Sequence, residues 1–229
     1  MNNSSYYSTS TGISSTISMA KVFGWMFIAI LLTAGTAIGL PYLLIALNAA
    51  QYYGIITFIA AIAVFILSFV GTTVIARTNS KPLAIGMFAL FAVGMGTWIS
   101  PLIISYSLAT IGYSLLVTSG VFGVMALYGF ITKRELNGFG SFLFMVLIGA
   151  LFISLLNVFF ASTTLDWILS YVILDVYIGF IAYDVQRVKR LAQAGQLNIN
   201  SSLLMALNLY IDFIYVFIRI VQLIGRNRD

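Results

Sequence analysis

The stretch that decides the fold lies near the end of the chain, where residues 202–224 read SLLMALNLYIDFIYVFIRIVQLI. It contains one acidic and one basic residue, Asp212 and Arg219, among side chains that are mostly apolar. A helix of about 20 apolar residues crosses the hydrocarbon core of a bilayer, which is about 30 Å thick. The stretch therefore predicts a transmembrane helix that carries two ionisable side chains.

Six further stretches of similar length and apolarity precede it, at residues 22–47, 53–76, 83–106, 108–132, 140–162 and 166–187. Of all 229 residues, 61% are hydrophobic and 7% are charged, whereas soluble domains carry about 25% charged residues. Such a chain has too few charges to cover a surface that faces water. We therefore predict an all-α membrane protein with seven transmembrane helices, organised as one domain over residues 21–229 after a disordered polar tail over residues 1–20.

The residue types that are missing exclude several kinds of site. The chain has no cysteine, which excludes a disulfide framework, a thiolate nucleophile and an iron–sulfur cluster. It has no histidine, which removes the usual zinc ligand and the usual general base near neutral pH. The net charge of +5 comes from basic residues at span ends, as membrane topology requires. We therefore expect no nucleic-acid partner and no tightly bound cofactor.

The basic residues alternate between the connections. They occur before span one and after spans two, four and six, and the segments after spans one, three and five have none. Because cytoplasmic connections carry an excess of Lys and Arg, the N-terminus is predicted to be cytoplasmic. The C-terminus would then lie outside, although it carries Arg226 and Arg228; either it escapes the rule or span seven does not cross fully. Compact connections favour a bacterial cytoplasmic membrane.

Small residues inside the spans predict close contacts between helices, because glycine lets two membrane helices approach. Gly35 and Gly39 form a GxxxG pattern on span one. Four more glycines crowd spans three and four, at Gly94, Gly96, Gly120 and Gly123.

Ionisable side chains inside spans cost at least about 2.5–3.5 kcal/mol each to insert and usually face the interior of a helix bundle. At about 100° per residue, the polar side chains of span seven share one stripe. The stripe includes Asn208, Asp212, Tyr215, Arg219 and Gln222. Either it joins the helix to its neighbours through hydrogen bonds, or it lines an ion pathway.

Span six carries a narrower polar stripe with Tyr177 and Asp184, whereas Asp175 faces the opposite side. We expect Asp184 about one turn from the cytoplasmic end, where water hydrates it, and Asp212 about 15 Å deep. A tilt of the helices would bring the two carboxyl groups together. Two carboxyl groups in a low-dielectric site share one proton and titrate as a unit, which makes the pair a pH sensor. Without that proton they repel each other, or they bind calcium weakly.

Two motifs around these aspartates are similar to signatures of the Bax inhibitor-1 family: AYDVQR at 182–187 and LYIDFI at 209–214. Supporting runs are TKREL at 132–136 and IGRNRD at 224–229. The resemblance implies a seven-helix fold in which the last helix is central and surrounded by the other six. It also implies a pH-sensitive calcium leak gated by the aspartate pair, which the family couples to an arginine near the end of span two, here Arg77. Asp175 departs from the family pattern, where this position is normally uncharged.

We therefore expect a calcium channel or transporter, without catalytic residues, gated by the proton-sharing pair Asp184 and Asp212. The same pair is the expected weak calcium site. The expected lining of the pathway comprises Asn208, Tyr215, Arg219, Tyr177 and Asp175. The expected partners are the lipid bilayer, calcium ions and protons, with the protein a monomer in the membrane.

Two other functions fit the same residues. One is a regulator that transports nothing and binds a membrane protease or channel. The other is an intramembrane aspartyl protease, which also uses two aspartates on consecutive spans; however, its Gly-x-Gly-Asp element is replaced here by Leu209-Tyr210-Ile211-Asp212. A retinal protein is excluded, because span seven has no lysine for a Schiff base.

Overall fold

The computed structural model describes the backbone of residues 4–226 and the side chains of residues 18–225. Within these ranges the chain forms seven α-helices and no strand. The helices are α1 Ser4–Ala46, α2 Tyr53–Arg77, α3 Lys81–Ser105, α4 Leu108–Ile131, α5 Asn137–Phe160, α6 Thr163–Gln193 and α7 Ile199–Arg226. Each contains a segment long and apolar enough to cross a membrane, which confirms the predicted all-α membrane fold.

The N-terminal boundary differs from the sequence-based expectation. Helix α1 begins at Ser4, whereas the sequence predicts an irregular tail over residues 1–20. The segment of α1 that is apolar enough to span a membrane is Ser18–Ala46, close to the predicted first span. Residues 1–3 and the side chains of residues 4–17 lie outside the described part of the chain, so the disorder of the tail stays a prediction.

Helix α6 ends six residues later than predicted, at Gln193 instead of residue 187. Gly195 adopts a left-handed conformation with φ of 67°. Its N–H donates to the carbonyl of Ala192 at 3.1 Å, and the N–H of Gln196 donates to that of Leu191 at 2.9 Å. These two bonds form a Schellman motif, which ends a helix by satisfying its last carbonyl groups. Glycine favours this conformation because it has no Cβ.

Helix α7 begins three residues before the predicted start, at Ile199 instead of residue 202. The side chain of Asn198 accepts a hydrogen bond from the N–H of Ser201 at 2.8 Å. The hydroxyl of Ser201 accepts one from the N–H of Asn198 at 2.9 Å. This reciprocal pattern resembles a capping box and satisfies N–H groups that the first turn of a helix leaves unpaired.

The helices fall into two compact units, each described by itself. The first unit contains Met1–Ile111 and Leu191–Tyr210, and therefore α1, α2, α3 and the first part of α7. The second contains Gly112–Arg190 and Ile211–Asp229, and therefore most of α4, all of α5, most of α6 and the rest of α7. That residues 21–229 form one domain stays a prediction.

Hydrogen bonds between helices hold the first unit together. The hydroxyl of Thr33 on α1 donates to the carbonyl of Ala92 on α3 at 3.0 Å and pairs with the hydroxyl of Tyr210 on α7 at 2.6 Å. Ser100 on α3 donates to the carbonyl of Ala37 at 2.7 Å and accepts from Tyr53 of α2 at 3.0 Å. Such bonds matter in a membrane, because the hydrophobic effect does not drive helices together in lipid.

The glycine contacts confirm part of the expected packing. A Cβ at Gly96 would lie 2.5 Å from the carbonyl oxygen of Thr33, and one at Gly94 would lie 3.1 Å from Val64. The other predicted positions have nothing within 4 Å of a Cβ, namely Gly35, Gly39, Gly120 and Gly123. The GxxxG pattern of span one is therefore not a contact surface in this structure, because no other helix approaches it.

Helix α7 is the most buried of the seven candidate spans. In its most apolar segment 72% of the residues are buried, against 17–39% in the other six. Its described surface thus offers lipid little area, which explains how it carries polar side chains. The central position that the family resemblance implies stays a prediction.

We predict that Gly96→Ala destabilises the protein, because the new methyl group collides with the backbone of Thr33 and not with a flexible side chain. Overpacking of this kind costs about 1–3 kcal/mol. Gly86→Ala is the matched control, since it lies on the same helix with nothing within 4 Å. Thermal unfolding in detergent, followed by circular dichroism, measures both. Equal melting temperatures for the two variants would contradict the prediction.

Candidate functional site: a buried aspartate pair on α6 and α7

Asp184 of α6 and Asp212 of α7 meet in the second unit. Both side chains are buried, with 6% and 4% of their surface exposed, and the two carboxyl groups lie close enough to interact through a side-chain hydrogen bond. Two ionised carboxylates can only accept hydrogen bonds, so such a bond requires a proton on one of them. That the pair shares a proton stays a prediction.

The length of α6 explains how two aspartates of different predicted depth come together. Asp184 lies nine residues before the end of α6 at Gln193, which is about 14 Å of helix. Asp212 lies thirteen residues after the start of α7 at Ile199, or about 20 Å. Helix α6 continues past the predicted end of the span, and Asp184 is buried among the described residues; its position relative to the membrane surface stays a prediction.

Small residues let two neighbouring helices approach α6 just before Asp184 in the chain. Gly129 of α4 lies directly against the carbonyl group of Ala182, where a Cβ would collide. A Cβ at Gly140 of α5 would lie 2.6 Å from the ring of Tyr183. The backbone that carries Asp184 is therefore held between α4 and α5. The sequence offered no signal for this, since glycine at a contact looks the same as glycine facing lipid.

A buried glutamine two residues after Asp184 ties α6 to the connection between α4 and α5. The Oε1 atom of Gln186 accepts a hydrogen bond from the N–H of Leu136 at 2.9 Å, and its Nε2 atom donates to the carbonyl of Arg134 at 2.7 Å. One turn later, Lys189 donates to the carbonyl of Phe130 at 2.6 Å and lies over its ring. Gln186 of the AYDVQR motif thus positions the loop, and Lys189, just beyond the motif, contacts the end of α4.

The polar side chains beyond the pair also come together. The rings of Tyr177 on α6 and Tyr215 on α7 stack in parallel, with centroids 4.7 Å apart and an angle of 1° between their planes. Tyr177 interacts electrostatically with both Asp212 and Arg219, and Tyr215 interacts with Arg219. Arg219 is half-buried and donates to Oε1 of Gln222 at 3.1 Å. Three predicted lining residues therefore lie next to the pair.

Three other predicted site residues are not part of this cluster. Asp175 is exposed on the outer surface of α6, as its opposite helical face requires. Asn208 is half-buried on the part of α7 that belongs to the first unit. Arg77 is exposed at the end of α2 in that same unit, where Asn200 of α7 donates to the carbonyl of the next residue, Thr78, at 2.7 Å. The coupling of Arg77 to the aspartates stays a prediction.

The pair offers few ligands to a cation. Among the described residues, no group of three or more carboxylates is placed to hold a metal ion, whereas calcium takes about 6–8 oxygen ligands. One carboxyl oxygen, Oδ2 of Asp212, is buried without a hydrogen-bond partner among these residues. Two carboxylates alone supply fewer ligands than tight calcium binding needs.

We predict that Gln186→Ala loosens the connection between α4 and α5, because it leaves the N–H of Leu136 and the carbonyl of Arg134 without their partner. Each buried group left unpaired costs about 1–3 kcal/mol. Trypsin reports the change, since the exposed residues Lys133 and Arg134 lie in this connection. We expect cleavage there to become about tenfold faster, with the exposed Gln193→Ala on the same helix as control. Equal cleavage rates in both variants would contradict the role given to Gln186.

Comparison with known proteins places the chain in a family. The model of the family described as inhibitor of apoptosis-promoting Bax1 matches residues 16–229. The inner membrane protein YbhL of Escherichia coli is 33% identical over 223 residues, which cover 92% of each chain. An uncharacterized membrane protein of Streptococcus pyogenes is 36% identical over 178 residues, covering 77% of this chain and 75% of the relative. The resemblance predicted from the two aspartate motifs is confirmed, and the chain belongs to the Bax inhibitor-1 family of multi-pass membrane proteins.

Proposed function

We propose that this protein is a calcium leak channel whose open fraction is set by the protonation of Asp184 and Asp212. The observation that carries the proposal is the burial, side by side, of two interacting carboxyl groups on α6 and α7. The proposed substrate is calcium, and the protein uses no resident cofactor and catalyses no covalent chemistry.

The shared proton holds α6 and α7 together, because it allows a hydrogen bond between the two carboxyl groups. While it is present, the pair carries one negative charge and the hydrogen bond joins the helices. When it leaves, the two carboxylates repel each other; two like charges separated by about 4 Å repel by about 4 kcal/mol at an effective dielectric constant of about 20. This exceeds the net contribution of an ordinary hydrogen bond, about 1 kcal/mol. Loss of the proton therefore favours separation of the two helices, and the open fraction rises with pH.

The separated carboxylates then face the pathway as oxygen ligands for calcium. Calcium prefers carboxylate oxygens, and affinity falls with fewer charged ligands. Two carboxylates bind the ion weakly enough to release it, as conduction requires. The polar stripe of α7, with Tyr215 and Arg219, continues from the pair and lines the route. Arg77 is proposed to respond to the charge of the pair, as the family resemblance implies.

We predict that Asp184→Asn and Asp212→Asn each flatten the pH response of calcium flux, because an amide cannot gain or lose the shared proton. Purified protein in liposomes loaded with a calcium indicator measures the flux across a pH series. In the unaltered protein we expect calcium flux to rise about tenfold as the pair loses its proton. Coupling between two sites typically changes a binding equilibrium by about 5–150-fold. Glu135→Gln is the matched control, because this carboxyl group is exposed in a connection.

Unchanged flux and an unchanged pH response in both asparagine variants would overturn the proposal. A proton-sharing pair is also the catalytic feature of aspartic proteases, so the same proteoliposomes are supplied with a transmembrane peptide. Cleavage that either asparagine substitution abolishes would identify a protease instead. Absence of flux together with stable co-purification of a membrane protein would favour the non-transporting regulator.

We further propose that the protein lies in a bacterial cytoplasmic membrane with its N-terminus in the cytoplasm. The distribution of basic residues supports this orientation, and the relative from Escherichia coli is an inner membrane protein. Because the chain has no cysteine, single cysteines report the topology directly. Gln51→Cys, between α1 and α2, should react with an impermeant thiol reagent added to intact cells, whereas Asn79→Cys, between α2 and α3, should react only after lysis. The reverse pattern would invert the orientation.

A further inference from the structure

The polar stripe of α7 leads to a charged group that the proposed gate does not use. Arg219 lies seven residues after Asp212, about 10 Å along the helix and on nearly the same face. An arginine within a membrane span is costly unless it faces a polar or aqueous region. The groups around Arg219 therefore show whether its charge is neutralised within the protein.

The groups around Arg219 leave its charge without a neutralising partner. Among the described residues, its guanidinium donates to Gln222 at 3.1 Å and interacts with Tyr177 and Tyr215. An amide and two tyrosines carry no charge near neutral pH. Tyr177 also interacts with Asp212, and Tyr215 lies between Asp212 and Arg219 on α7. The stacked rings thus stand between the acidic pair and an uncompensated positive charge.

We propose that Arg219 and the Tyr177–Tyr215 stack form a fixed positive barrier in the pathway, which limits the passage of calcium. The inference rests on the proposed leak and names a second element that controls it. Coulomb energy is proportional to the charge of the ion, so the barrier opposes a divalent cation twice as strongly as a monovalent one. Arginine keeps its charge at all physiological pH values. The aspartate pair therefore sets when the pathway opens, and Arg219 sets how fast calcium crosses it.

This barrier has a quantitative signature in ion flux. Removing the charge with Arg219→Gln should raise potassium flux by some factor and calcium flux by the square of that factor, for example about threefold and about tenfold. Arg219→Lys keeps the charge and should leave both fluxes close to those of the unaltered protein. The pH dependence should persist in Arg219→Gln, because the aspartate pair is intact. Fluxes are measured in the same liposomes with calcium and potassium indicators.

Three results would overturn the barrier. Equal factors for potassium and calcium would indicate that the substitution merely loosens the helices. A lysine variant that behaves like the glutamine variant would show that charge is not the cause. An effect that appears only in vesicles rich in anionic lipid would mean that Arg219 holds a lipid phosphate group instead.

A second measurement does not depend on calcium flux. Since the chain has no cysteine, Gln222→Cys places one thiol beside Arg219. We expect a negatively charged thiosulfonate reagent to modify this thiol about tenfold faster than a positively charged one, relative to their rates with a free thiol. Adding Arg219→Gln should abolish the preference. No reaction with either reagent, or the same preference in both backgrounds, would overturn the proposal.

The two proposals fail in different ways. If Asp184→Asn and Asp212→Asn leave flux unchanged while the reagent preference at residue 222 depends on Arg219, the proposed gate is wrong and the positive barrier is supported. If the asparagine variants lose the pH response while Arg219→Gln alters neither the flux ratio nor the reagent preference, the gate stands and the barrier is wrong.

Discussion

The contact between the buried carboxyl groups of Asp184 and Asp212 is the interaction on which the proposed function depends. Each carboxylate alone would cost several kcal/mol inside a membrane span, and two adjacent carboxylates would also repel each other. One shared proton removes half of that charge and turns the repulsion into an attraction. Burial of the two carboxyl groups therefore favours a shared proton, and we propose that the interaction between them depends on pH for this reason.

The surroundings of the pair restrict how α6 can move. Gly129 and Gly140 bring α4 and α5 directly against the backbone of Ala182 and the ring of Tyr183, just before Asp184. Gln186 and Lys189 fasten the connection between those helices to the next turns of α6. Among the described residues of this unit, α6 is therefore held by α4, α5 and their connection, whereas its contact with α7 at this level includes a bond that a single proton makes or breaks. In the proposed gate, a change in protonation acts on the contact between α6 and α7.

The stripe of α7 combines two kinds of electrostatic element. The aspartate pair changes its charge with pH, and Arg219, seven residues further along the helix, does not. The parallel rings of Tyr177 and Tyr215 separate them and present flat apolar faces with polar edges. In the proposal, the acidic pair controls the opening of the pathway and the basic Arg219 controls the rate of calcium flux, so the two are set separately.

Much of this could be predicted from the residues alone, because the relevant physics is local. Span number and length follow from apolar stretches that must match the thickness of a bilayer, and the shared face of Asp212, Tyr215 and Arg219 follows from helical periodicity. The end of α6 at Gln193 was harder to predict. The helix is ended by the Schellman motif at Gly195 and not by a change in hydropathy. Which glycines touch a neighbour could not be predicted either: Gly96 and Gly129 do, and Gly35 and Gly39 do not. A missing side chain permits close approach, but whether another helix uses it depends on the packing of residues distant in the chain.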